Sequence, residues 1–100
     1  MPASWHDGGM RRVHVIVSGE VQGVGYRYTA KMHADRLGVT GWIRNRRDTT
    51  VEAEVEGRVD AEDAMLARMA GGPPGSRVDD ARLSERTVIG GSGFEVLATL

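Results

Sequence analysis

Between Ser18 and Arg27 the chain reads Ser-Gly-Glu-Val-Gln-Gly-Val-Gly-Tyr-Arg, with Gly19, Gly23 and Gly25 inside seven residues. A stretch of this kind can curl its backbone around an anion, because no Cβ blocks the approach and positive φ costs little at glycine. A helical period begins at about Tyr26, so the unpaired N–H groups of the first turn and the helix dipole would point at the same place. Arg27 would lie in that turn, where a guanidinium can hold two phosphoryl oxygens through parallel hydrogen bonds. The chemistry on offer is phosphate binding by the N–H groups of Gln22, Gly23, Val24, Gly25, Tyr26 and Arg27, with the Arg27 side chain. Glycine spacing by itself favours a plainer reading, a tight strand-to-helix turn. Two other phosphate loops do not match. A Walker A loop ends in Gly-Lys-Ser/Thr, where this chain has Gly25-Tyr26-Arg27, and a dinucleotide loop needs glycine where Tyr28 stands.

Asn45 is the second candidate. It is the only Asn in the chain and closes the run Gly41-Trp42-Ile43-Arg44-Asn45. A carboxamide offers one carbonyl acceptor and two N–H donors, enough to orient a water. Taken alone, Asn45 reads as a residue beside a hairpin turn. His6, His14 and His33 are scattered without metal-ligand spacing on one element and read as structural or solvated, with His14 a candidate for half-burial. No metal and no cofactor are expected. Cysteine is absent, which removes disulfides, thiolate metal sites and cysteine nucleophiles.

These residues must be held by the elements around them. Arg12–Ser18 alternates with period two: Val13, Val15 and Val17 on one side, Arg12, His14 and Ile16 on the other. Ile16 suggests a strand covered in part on both faces. Tyr26–Leu37 is a helix with Ala30, Ala34 and Leu37 on one stripe and Gly38 as its C-terminal cap. Thr40–Arg46 is a second strand, with Trp42 its largest buried candidate. Val51–Glu56 is a third, with Val51, Ala53 and Val55 inward and Glu52, Glu54 and Glu56 in solvent. The short turn Arg47-Asp48-Thr49-Thr50 makes these two strands a hairpin. Asp60 is the expected N-cap of a second helix running to about Ala70, with Ala61, Met65, Leu66 and Met69 as its apolar stripe. Val78–Leu83 and Phe94–Ala98 are further strands, the last after a loose Gly90-Gly91-Ser92-Gly93. The order β-α-β-β-α-β predicts a ferredoxin-like α+β fold: an antiparallel sheet of four to five strands with two helices on one face. Residues 1–9 read as a flexible leader and 10–100 as one domain.

The 13 basic and 14 acidic residues leave a net charge of −1, which argues against a chain that coats nucleic acid. The first and third strands carry no aromatic residue for base stacking, which argues against an RNA-recognition module of the same topology. No apolar run approaches the roughly 20 residues of a membrane span, and the leader has no signal-peptide core. A cytoplasmic monomer with neither nucleic-acid nor membrane partners is the expectation.

Together, Ser18–Arg27 and Gly41–Asn45 closely resemble the two signatures of the acylphosphatase family. Val51 and Gly57 match the end of the second signature, and Gly72-Pro73-Pro74-Gly75-Ser76-Arg77-Val78 resembles the family's link into strand four. The resemblance runs from about Val13 to Phe94. Two positions depart from it. Thr49 stands where the family usually has glycine, so either the hairpin differs or a non-glycine residue accepts an unusual backbone angle. Ile43 replaces a smaller residue.

The resemblance implies hydrolysis of the carboxyl–phosphate bond of a small acyl phosphate. The N–H groups of residues 22–27 and the Arg27 guanidinium would hold the phosphoryl oxygens, and Asn45 would orient the attacking water. A carboxylate leaving group has a pKa of about 4 and departs without a proton, so no general acid is required. The alternative is a non-catalytic or weakly catalytic anion-binding domain of the same fold.

Overall fold

The computed structural model describes residues 9–100. Its elements are β1 (Met10–Glu20), α1 (Tyr26–Leu37), β2 (Thr40–Asn45), β3 (Val51–Arg58), α2 (Val59–Gly71), β4 (Arg77–Arg86) and β5 (Phe94–Val96). They build one five-stranded sheet in the order β4-β1-β3-β2-β5. The β-α-β-β-α-β order and both helices stand as expected. The β1–β3, β1–β4 and β2–β3 pairs are antiparallel, but β5 runs parallel to β2. The sheet is therefore mixed, because the chain leaves β4 at one edge, crosses to the other and enters β5 in the direction of β2. The flexible leader expected for residues 1–9 lies, apart from Gly9, outside the described residues.

Alternation decides where the core sits. Val13, Val15 and Val17 of β1, Ile43 of β2, and Val51, Ala53 and Val55 of β3 share one face and are buried. The helices cover that face with Ala30, Ala34, Met65 and Met69. Each buried valine or methionine is worth about 1.5–3 kcal/mol over leaving it exposed. The Tyr26 hydroxyl donates to the Met69 carbonyl at 2.6 Å, tying the start of α1 to the end of α2. Burial pushes its phenol pKa up.

The opposite face departs from expectation. Glu52 and Glu56 are buried rather than solvated, and so is Arg12. Arg12 donates to Glu54 at 2.6 Å and to Glu56 at 3.1 Å. The β4–β5 crossover lies over this face, and the Ile89 and Gly90 amides donate to the two Glu56 oxygens at 2.9 Å each. Gly90–Gly93 is thus a tied strap rather than a loose linker. Burial works against the Glu56 charge, but these amides and Arg12 outweigh it and hold the carboxyl below its ordinary range. Trp42 falls on the same face, only half-buried, with the Arg44 guanidinium 4.8 Å from its ring centroid, while its neighbour Ile43 takes the core position. The N-cap of α2 is Arg58, not Asp60. Asp60 lies in the first turn, where its Oδ1 accepts from the Ala61 amide at 2.9 Å. There the acidic side chain meets the positive end of the helix dipole.

Candidate active site

The loop between β1 and α1 is anchored from below and open above. Val21 and Tyr26 are buried, and Val24 packs against the core. Between these anchors Gly23 and Gly25 take φ of 74° and 77°, left-handed values that side chains resist. Gly25 is the N-cap of α1, and its carbonyl accepts from the Thr29 amide at 3.0 Å. Among the described residues, none of the backbone N–H groups of residues 22–27 donates to a protein acceptor. Six successive N–H groups without a protein acceptor, next to a helix N-terminus, are the kind of backbone that suits an anion.

Arg27 stands in the first turn of α1, half-buried, 5.8 Å above the Tyr28 ring centroid. It has no carboxylate partner among the described residues, so its charge is available to an anion. The arginines at the end of β2 are engaged differently. Arg44 donates to Glu52 at 2.8 Å, and Arg46 lies 3.8 Å from both Glu52 and Asp48. Burial opposes the Glu52 charge, but His14, at 2.7 Å, and Arg44 hold its carboxyl below the ordinary range. His14 is half-buried in this network, as its position in the strand suggested.

Asn45 ends β2 on the helix-covered face, in register with Val51 of β3, which in turn pairs with Val17 of β1. The last residue of β2 and the start of the loop therefore sit at the same end of the sheet. The Asn45 side-chain oxygen Oδ1 is buried and accepts no hydrogen bond from the described residues. Leaving such an acceptor unsatisfied costs about 1–3 kcal/mol, which a donor brought to it would recover. The Asn45 backbone is fixed from the far side: its carbonyl accepts from the Leu100 amide at 3.1 Å, and the Leu100 carbonyl accepts from Arg47 at 3.1 Å.

Thr49 has φ of 75°. Of the two outcomes open for this position, the non-glycine residue accepts the unusual angle. The turn stays tight, with Arg46 N–H to Thr50 O at 2.9 Å and Thr49 N–H to Arg46 O at 3.2 Å. The Thr50 hydroxyl and amide hold the Asp48 carboxyl below its ordinary range.

Two contributors were not legible in the sequence. The Gln22 carboxamide donates to the Arg46 carbonyl at 2.8 Å and to the Thr50 carbonyl at 2.9 Å. The sequence places only the Gln22 backbone amide in the loop, since nothing local says where its side chain reaches. The clamp by Leu100 is a backbone contact and leaves no residue signature.

The acylphosphatase family model matches residues 13–96. An acylphosphatase of Bordetella parapertussis is 52% identical over 81 residues, which cover 81% of this chain and 85% of that protein. One of Trichormus variabilis is 44% identical over 96 residues, 96% of this chain and 95% of that protein. The crystal structure of acylphosphatase from Bacillus subtilis superposes with a TM-score of 0.84 at 36% identity, covering 87% of this chain and 98% of that one. The unpaired loop N–H groups, Arg27 and the Asn45 carboxamide thus sit in a chain that belongs to the acylphosphatase family.

Proposed function

We propose that this chain hydrolyses small acyl phosphates, with Arg27 and Asn45 as its catalytic residues. The observation that carries the assignment is the buried Asn45 Oδ1 without a protein donor, at the sheet end that bears the loop. The amides of residues 22–27 and the Arg27 guanidinium hold the phosphoryl oxygens and stabilise the charge that spreads over them in the transition state. Asn45 accepts a hydrogen bond from the attacking water and fixes its line of approach. The water oxygen bonds to phosphorus as the bond from phosphorus to the acyl oxygen breaks. The electron pair of that bond leaves on the carboxylate, and a water proton passes to phosphate or solvent. Holding a reactant in line in this way removes several kcal/mol of barrier, roughly 7–11 in ideal cases.

The working unit on this reading is one domain of residues 10–100, acting as a cytoplasmic monomer without a metal. Among the described residues no helix is long and apolar enough to cross a membrane.

The test is hydrolysis of acetyl phosphate or benzoyl phosphate by wild type, Arg27→Ala and Asn45→Ala, with and without EDTA. Wild type should turn over and EDTA should leave its rate unchanged. Arg27→Ala should lose both phosphate inhibition and turnover. Asn45→Ala should keep phosphate inhibition and lose turnover by at least about 100-fold. Near-normal rates in Asn45→Ala would remove the water-orienting role, and an inactive wild type that still binds phosphate would favour the anion-binding alternative.

A further inference from the structure

The two halves of the site come from different parts of the chain. Among the described residues, the only side-chain hydrogen bonds joining the loop to the hairpin are those of Gln22. One NH2 group donates to the carbonyls of Arg46 and Thr50, at 2.8 and 2.9 Å. These two residues form the neck of the hairpin, already joined by the Arg46 amide and the Thr50 carbonyl at 2.9 Å. Arg46 follows Asn45 directly. The bridge spans 24 and 28 residues of sequence, so no local geometry enforces it.

We propose that the Gln22 carboxamide is a positioning residue that sets the spacing between the phosphate-holding loop and Asn45. The inference rests on the reading that the loop holds the phosphoryl group and Asn45 the water. Both N–H groups of the carboxamide are committed to the hairpin, and its remaining polar atom is a carbonyl oxygen, which would repel an anion. The side chain therefore serves no phosphate directly. It presents two donors in one plane to two carbonyls, a task that few side chains of this length can perform. Glutamate, of nearly the same shape, would set oxygens against oxygens. Methionine, of similar length, would offer nothing.

Gln22 touches neither reacting atom on this account, so its loss should leave phosphate binding in place and harm the encounter of water with phosphorus. Kinetics of acetyl phosphate hydrolysis should be compared for wild type, Gln22→Met and Gln22→Glu, with inorganic phosphate as competitive inhibitor and a thermal melt of each protein. The expected result is a fall in kcat of about 100-fold, the scale of a misplacement near 1 Å, with KM and the phosphate inhibition constant within about threefold of wild type. An unchanged kcat in a folded Gln22→Met would overturn the proposal. So would a phosphate inhibition constant that weakens in step with kcat, since Gln22 would then belong to the cradle itself. If Gln22→Glu does not fold, Gln22→Met, which buries no new charge, decides the question alone. Arg27→Ala and Asn45→Ala, run alongside, separate the two levels. If both retain turnover, the catalytic reading fails. If both lose it and the Gln22 variants do not, only the positioning role fails.

Discussion

At Thr49 a β-branched side chain sits at φ 75°, a region that L-residues other than Asn and Asp avoid. The residue is exposed and its side chain makes no hydrogen bond among the described residues, so nothing local offsets the strain. Thr49→Gly should stabilise the fold by about 1 kcal/mol, the relief of strain less the greater entropy of glycine in the unfolded chain. Urea denaturation with an unchanged m-value checks this, and a loss of stability would mean that the threonine makes a contact worth more than its strain. Arg27 and Asn45 stand out in the sequence through the resemblance of their two segments to the family's signatures; taken alone, the glycines read as a tight turn and Asn45 as a hairpin residue. Gln22 was legible only as part of a loop. Its side chain reaches a hairpin more than twenty residues away, and no spacing rule connects the two.

The elements that carry the site differ in how firmly they are held. β2 lies between β3 and β5; the β5 ladder ends at Ile43, and beyond it the Leu100 amide holds the Asn45 carbonyl at 3.1 Å. That packing demands glycine at position 41. Its φ is 137°, and an added Cβ would overlap the Glu54 carbonyl oxygen on the adjacent strand. Gly41→Ala should therefore cost about 2–3 kcal/mol, read as a lower midpoint in urea; a cost under 1 kcal/mol would show that β3 yields easily. α1 matched its expected bounds because its apolar stripe and the flanking glycines agree. The open face of the sheet did not match. Glu52, Glu54 and Glu56 alternate with valine and alanine as solvated residues do, yet two of the three are buried. The alternation reports which side of a strand a residue takes, not what later crosses that side. Here Arg12, Arg44, His14 and the strap before β5 supply the partners. Trp42 departs for the same reason: its size points to the core, while the strand register assigns it to the other face.

For the molecule as a whole, stability follows the pH of two opposed sets of carboxyls. Glu62 of α2 is fully buried, with neither oxygen hydrogen-bonded to the described residues. Burial raises its pKa to about 8; Arg11 and Arg12 of β1 work against the rise, and Glu85 of β4 and Glu56 of β3 add to it. A carboxyl whose pKa is raised on folding contributes its stability fully below about pH 4.5 and loses it as pH climbs through about 8. Glu52 and Glu56 are shifted the other way, so their contribution is present above the ordinary carboxyl range and is lost in acid. Stability should peak in mildly acidic solution. Melting temperature should fall by several degrees between pH 5 and pH 9, and Glu62→Gln should flatten that decline and melt higher than wild type at pH 9. Parallel curves for the two proteins would show that Glu62 is not the titrating group. The clamp of the last residues on β2 has a consequence in time. The candidate site needs residues 22–27, the neck at 45–50 and the backbone of Leu100, segments that meet only when the full topology has closed. Contacts between segments this far apart in sequence form late compared with a helix or a hairpin. During refolding, helix content should return early, and turnover should arrive with the docking of the segment that follows β5.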